Sequence, residues 1–312
     1  MADDLLALAD LLVINDMSVA DLEISDILDD AAILRAMYSD VASNGTVHKY
    51  NKETGAPVVG FRSPNAGREL DSSIDTQVSI DLKILDASFL VDLALANAYQ
   101  RGGPAALVAR EARRHLRAAF FAAEKQLVNG TGNDAGGFTG LINAATINQL
   151  ADEMVVGAGG STALTSVYLL RSTPDGNNVA VIVGQDGEIS IGDTVTQMAT
   201  DVDDKKYPAL WTPVQGWMGL QVGGARSIGR IANLGTDTGK GLTDDLIYEA
   251  ISKFPAGAPP THLAMNRRSL QQLQKSRTTY SPTGAPAPFP TEVEGIPIVL
   301  TDAILNSETA VA

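Results

Sequence analysis

The sequence predicts an α+β fold, and three observations carry that prediction. Residues 104–129 hold one unbroken apolar stripe at helical spacing. Val78, Ile80, Leu82 and Ile84 alternate with Ser79, Asp81 and Lys83, the period-two mark of a strand with one buried face. From 166 to 300, short β-branched runs and two further helical runs follow one another between glycine and proline turns. At 312 residues the chain is long enough for about two domains or one elaborate domain.

Composition removes several function classes. Apolar residues make up 45% and charged residues 19%, with a mean hydropathy of +0.04, which describes a packed chain. There is no cysteine, so disulfides, thiolate metal sites and cysteine nucleophiles are excluded. His48, His115 and His262 stand far apart, with neither HExxH nor His-x-His spacing, which argues against a zinc enzyme. Aromatics are 5%, low for a sugar or nucleobase pocket. Net charge is −14, yet residues 1–40 alone hold ten acids against Arg35. A chain-wide attraction to nucleic acid is therefore not expected. No run reaches the roughly 18 apolar residues of a membrane span. Met1–Leu6 is acidic where a secretion signal is basic. The expectation is a soluble protein made in a cytoplasm, with no membrane partner.

The elements follow in order. Leu5, Leu8 and Leu12, then Leu28, Ala31, Leu34 and Met37, predict helices within 3–38, with Ser18 capping the second and Asp21 near its positive end. Thr46–Tyr50 predicts a strand and 78–84 a second one. The polar excursion between them carries Gly55, Pro57, Gly60, Pro64, Asn65 and Gly67. A two-stranded ribbon is not stable alone in water, so it must lie on a surface that its own chain need not supply. In the 104–129 helix, Gly103-Pro104 gives the start and Asn129-Gly130 the stop. Ala109, Ala112, Leu116, Phe120, Ala123 and Leu127 form its apolar stripe over about 39 Å. Arg110, Arg113, Arg114 and Arg117 share an adjoining face with only Glu111 nearby. A solvated face is the ordinary reading of such a run, while the weak compensation argues for an external anionic partner.

Residues 130–141 read as a glycine-rich bend and 143–160 as a short helix and loop. Strands are predicted at 166–171, 179–183, 188–191 and 194–198, then through a long β region around Trp211–Val222, and at 228–231. Helices follow at 242–254, capped by Thr243, and at 265–275, capped by Asn266. A proline-rich loop at 282–290 precedes a closing strand at 296–300.

Tempting motifs fail on spacing or context. Gly235–Lys240 has three residues between its glycines where a phosphate loop needs four, and Gly241 follows the lysine. Gly130–Ala135 follows a helix rather than a strand, which rejects a dinucleotide fingerprint. Asp201, Asp203 and Asp204 begin like a calcium loop, but Lys205 and Lys206 stand where further ligands belong. No serine is locally paired with a histidine. No catalytic, cofactor or metal residue is assigned, and no cofactor is expected.

The order of parts is an N-terminal arm, a long ribbon, one basic-faced helix, a Gly136-Gly137-Phe138-Thr139-Gly140-Leu141 bend, a mixed α/β region and a late return to strands. Together with Trp211–Leu220 leading to Arg230–Leu234, Met265-Asn266-Arg267-Arg268 opening a helix, and Glu294–Ile298 near the end, it resembles the major capsid proteins of tailed bacteriophages, the Hong Kong 97 capsid fold. The likeness covers nearly the whole chain through the combination of parts; no single motif is specific.

That resemblance implies an N-terminal arm at 1–44 and an extended β-hairpin loop at 45–85 lying across a neighbouring subunit. It implies a peripheral domain from 86–141 and 206–241, with 104–129 as its spine helix, and a mainly axial domain from 142–205 and 242–312. It further implies a shell of pentamers and hexamers, assembled in the host bacterial cytoplasm, that encloses double-stranded DNA without specific binding. The short arm implies a separate scaffolding protein, beside a portal and a cement protein as further partners. The inter-subunit contact candidates are Lys49, Lys52, Arg62, Arg68, Arg110, Arg113, Arg114 and Arg117. Some members bond a lysine of the extended loop covalently to a neighbour's asparagine; Lys49 and Lys52 lie in the right segment, and the sequence leaves that chemistry open. The alternatives are an encapsulin-like compartment, a carboxylate or metal enzyme, and a tail structural protein. A sizing column separates the enzyme from the shell, and particle contents separate the encapsulin.

Overall fold

The computed structural model describes residues 13–14, 17–18, 28, 30–55, 58–68, 74–142, 154–174, 178–224, 226–279 and 285–311. The helix expected around Leu5–Leu12 and most of the 143–160 segment lie outside these residues. In chain order come β1 (Val13–Ile14), β2 (Met17–Ser18), α1 (Ala32–Ala36), β3 (Ser39–Val41), and the ribbon strands β4 (Val47–Gly55) and β5 (Ile74–Asp81). Next are β6 (Lys83–Asp86), β7 (Phe89–Asp92), α2 (Leu93–Ala98) and α3 (Gly103–Asn129), then β8 (Val155–Gly157), β9 (Thr165–Leu170), β10 (Val179–Val183) and β11 (Glu188–Ile191). The remainder is β12 (Val195–Thr200), β13 (Lys206–Thr212), β14 (Val214–Val222), β15 (Ile228–Leu234), α4 (Asp244–Ser252), β16 (His262–Met265), α5 (Arg267–Thr279), β17 (Glu292–Val293) and β18 (Ile296–Leu300).

Two sheets carry the core. One runs β2-β1-β11-β14-β10-β3, with β6 also paired to β14. The other runs β17-β18-β16-β9-β15-β8. A smaller sheet, β12-β13-β7, and the β4-β5 ribbon complete the set. Pairing crosses the sequence boundary at 205/206, because β10 pairs with β14 and β9 pairs with β15.

α3 begins at Gly102, whose φ of 95° suits glycine, takes Pro104 in its first turn, and ends at Gly130 with φ 54°. Its two halves differ. Leu116, Ala119, Phe120, Ala123, Leu127 and Val128 are buried in the C-terminal half, whereas Leu107 is the one buried residue before Leu116. Ala109, expected in the stripe, faces outward, because the sheet covers only the later turns. The glycine-rich bend folds back on the helix end: Leu141 N–H donates to Leu127 O at 2.7 Å, and Gln126 Nε2 donates to Phe138 O at 2.7 Å. Gly140 lies so close to Gly130 that a Cβ would sit 2.4 Å from its backbone nitrogen.

Ser18 lies in β2, and the start of the helix expected after it lies outside the described residues; β1 pairs in parallel with β11 and antiparallel with β2, so this part of the arm is a strand edge. The helix expected over Leu28–Met37 is confined to the five residues of α1. Its first amides meet a carboxylate from α3. Glu124, 0% exposed, accepts from Ile33 N–H at 2.9 Å and Leu34 N–H at 3.2 Å, and from the Thr301 hydroxyl. One side chain thereby joins arm, helix and C-terminal segment.

The strand pattern at 78–84 also changes. Leu82 is buried with Ala180 and Ile182, and its N–H donates to Thr46 O at 2.9 Å. Beyond it the chain leaves β5 and pairs with β14, so Ile84 is exposed while Ala87 and Phe89 point inward. The part of 143–160 within the described residues holds the strand β8, paired in parallel with β15, where the end of a helix and loop segment was expected.

The C-terminal segment is bound to the second sheet. Thr165 Oγ1 donates to Leu305 O at 2.7 Å and Val311 N–H donates to Asn233 Oδ1 at 2.9 Å. Below them Arg230 and Glu308 form a 2.8 Å ion pair with side chains 5% and 2% exposed, and Arg230 Nε donates to Ser166 Oγ at 2.9 Å. The Arg230 guanidinium also lies 5.7 Å from the centre of the Tyr168 ring, whose hydroxyl pKa burial pushes upward. Thr243 and Asn266 cap their helices as expected, accepting from Leu246 N–H at 3.4 Å and Ser269 N–H at 2.9 Å.

Candidate assembly interface

The ribbon leads out to an exposed loop. β4 and β5 pair in register from Val47↔Asp81 to Gly55↔Ile74. Past them residues 58–67 are exposed, and Val58, Val59 and Phe61 present apolar side chains to solvent. Lys49 stands exposed on β4, and Lys52 lies opposite Thr76. Arg62 and Arg68 bind within the ribbon's own loop: Arg62 donates to Ala66 O at 3.2 Å, and Arg68 donates to Gly60 O at 3.3 Å and to Val58 O. The loop thus has a shape of its own without a core beneath it.

The second surface is the exposed N-terminal half of α3. The arginine row is better compensated than its sequence implies. Glu111 takes both Arg110 at 3.1 Å and Arg114 at 3.0 Å. Asp30 of the arm takes Arg117 in a bidentate pair of 2.5 and 2.9 Å, which holds the Asp30 carboxyl below its ordinary pKa. Arg110 also lies over the Tyr99 ring at 5.2 Å. Arg113 is exposed and makes no ion pair among the described residues. These exposed pairs are each worth about 0.2–1 kcal/mol, so they orient the arm more than they stabilise the fold.

The rejected motifs are turns. Asp237 accepts Ser161 N–H at 2.8 Å and Thr162 N–H at 3.1 Å, which ties the 235–240 loop to residues 161–162. Asp201 Oδ1 accepts from Asp203 N–H at 2.9 Å and Lys205 N–H at 2.8 Å. Among the described residues no three His, Asp or Glu gather at metal-binding distance, and no helix is long and apolar enough to cross a membrane.

Three functional groupings escaped the sequence reading. Glu124 at the arm–helix junction carried a usable signal, since it lies between Phe120 and Leu127 on the apolar side of α3. Arg230 did too, as the one charge in a strand otherwise made of apolar, glycine and asparagine residues. His48 at the ribbon root carried none, because its partner Gln221 is 173 positions away.

The family model described as major capsid protein GP7 matches residues 18–312. The chain belongs to this family of major capsid proteins. Among solved structures, the capsid protein resembles a chain of bacteriophage Epsilon15 with a TM-score of 0.59 and 20% identity, over 88% of this chain and 87% of that one. That likeness carries the fold, which is the Hong Kong 97 type. The bacteriophage JBD30 capsid matches at TM-score 0.47 and 10% identity, over 85% and 88% of the two chains. The SrpI encapsulin of Synechococcus elongatus PCC 7942 matches at 0.45 and 11%, over 64% and 86%. No curated protein matches. The capsid protein is a structural component of the virion that forms the icosahedral phage shell.

Proposed function

We propose that the capsid protein assembles as pentamers and hexamers of itself and holds double-stranded DNA without binding it specifically. The observation that carries this reading is the ribbon, a two-stranded arm whose described tip residues 58–67 are all exposed in their own subunit. Large assembled interfaces bury thousands of Å², so a subunit need not bury its apolar tip alone. In this reading α3 is the spine of the peripheral domain, which also takes residues 206–241, and the strands β9 and β16 belong to the mainly axial domain. A separate scaffolding protein, a portal and a cement protein are its partners, and assembly takes place in the host cytoplasm. The chain carries out no catalysis. Lys49 and Lys52 remain candidates for contact with a neighbour, and Arg62 and Arg68 act by shaping the loop that makes it. Sedimentation of the purified chain tests the reading: megadalton particles or an assembly-prone monomer are expected, and a stable small oligomer would contradict it.

Two further outcomes follow from charge. The arm over 1–40 carries −9 and residues 101–125 carry +4, and Asp30–Arg117 already joins them. Changing Arg113, Arg114 and Arg117 to Gln is expected to raise the concentration needed for assembly, more at low salt than at high. An unchanged threshold at both salts would remove the arm–helix attraction from the account. DNA binding is expected to be weak, because the subunit is at −14 and three of the four α3 arginines are paired internally. The unassembled subunit should pass a DNA column unretained at about 150 mM salt, where screening acts over roughly 8 Å. Retention under those conditions would identify a DNA-organising wall.

A further inference from the structure

The root of the ribbon is fastened through a buried histidine. His48 is 7% exposed. Ser43 N–H points at its Nδ1 from 3.3 Å, so that nitrogen is an acceptor and carries no proton. The proton is therefore on Nε2, which donates to Gln221 Oε1 on β14 at 2.7 Å. Tyr50, stacked on the ring at 5.9 Å, sends its hydroxyl to Val222 O at 3.0 Å. The turn beneath is closed by Lys49 N–H to Ser43 Oγ at 2.9 Å and by Gln185 N–H to Gly45 O at 3.0 Å.

The charges around the ring are few. β10 and β14 carry none. The turn before β11 carries Asp186, β11 carries Glu188, β3 carries Asp40, β5 carries Asp75 and Asp81, and β6 carries Lys83 and Asp86. The ring's own strand carries Lys49, Lys52 and Glu53, and Arg226 follows β14. Among the described side chains, Asp40, Lys49, Asp75, Asp81, Lys83, Asp86, Asp186 and Glu188 make no bond to the ring. A second proton on the imidazole would set a donor against the Ser43 N–H and bury a positive charge with no carboxylate partner. Gln221 would still accept from Nε2, so the strained point is the turn that sets the ribbon's angle.

We propose, building on the reading of the ribbon as the assembly arm, that His48 is a proton-operated latch. Neutral, it holds the ribbon at one angle on β14; doubly protonated, it loosens the 43–48 turn and lets the ribbon swing.

The absence of cysteine makes the test clean. Spin labels on Cys replacing the exposed Ser63 and Ser190 report the ribbon-to-sheet distance in the unassembled full chain. One narrow distance is expected at about pH 8 and a displaced or broadened one at about pH 5, the range in which histidine changes charge. His48→Gln should abolish the change, while His115→Gln and His262→Gln keep it. Gln221→Glu should move the midpoint to higher pH, because a carboxylate there favours the imidazolium; this variant decides the matter even if His48→Gln fails to fold. An unchanged wild-type distance, a response that survives His48→Gln, or an unmoved midpoint in Gln221→Glu overturns the latch. Shell formation is scored separately by sedimentation, so failure to assemble with an intact pH response sinks the assembly reading and leaves the latch standing.

Discussion

Deleting residues 52–76 is expected to leave a folded, soluble subunit that closes no shells. Asn51 and Gln77 are directly paired across the ribbon, so an Asn-Gly turn can join them and keep the register below. The deletion spares His48, Tyr50 and their bonds to Gln221 and Val222. It removes Val58, Val59 and Phe61, none of which touches a core of this chain. Circular dichroism should therefore match the full-length subunit, while sedimentation shows no closed particles at any concentration at which the full chain forms them. Normal shells from the deletion would refute the ribbon's role.

Glu124→Ala has the largest expected effect on the subunit itself. The carboxylate satisfies the amides of Ile33 and Leu34 and the hydroxyl of Thr301 in a site closed to water. An orphaned buried donor costs about 1–3 kcal/mol, and three share this acceptor, so a loss of about 3–5 kcal/mol is expected in urea unfolding of the unassembled chain. Glu124→Gln keeps one carbonyl acceptor and the packing, and should lose less. The pH dependence has a definite sign. Burial raises the Glu124 pKa, against the pull of its hydrogen bonds to Thr301, Leu34 and Ile33. The folded state then holds this proton more tightly than the unfolded chain does. Its contribution is fully present below the unfolded carboxyl pKa and is lost as pH rises through the folded one. The stability advantage of wild type over Glu124→Gln should accordingly shrink across that interval. Parallel pH profiles for the two proteins would show that Glu124 is not so perturbed.

Much of the scaffold was legible because its signals are local. The ends of α3 are set by Gly102, Pro104 and Gly130, and the expected helix differs from the observed one by a single residue. Val179–Val183, Glu188–Ile191 and Ile296–Leu300 begin and end where their β-branched runs do. The errors arise where a distant partner decides. The alternation through Ile84 read as one strand, but Leu82 is claimed by Ala180 and Ile182, and the chain changes partner there. Ala109 fits the helical stripe, yet the sheet ends before it reaches that turn. The arginine row was visible as a pattern, while its neutralisation by Asp30 depends on a contact 87 positions away. The strand β7 and the helix α2 were not foreseen at all; β7 is a strand because Phe89–Asp92 meets β13, 117 or more positions further on.

Electron microscopy of particles made by expressing this chain with its neighbouring gene products shows whether it builds a closed phage shell. Closed icosahedral particles are expected, in which the ribbon of each subunit lies across the next. Rods or stacked rings, or small oligomers with the ribbon folded back on its own subunit, would contradict the shell-building role.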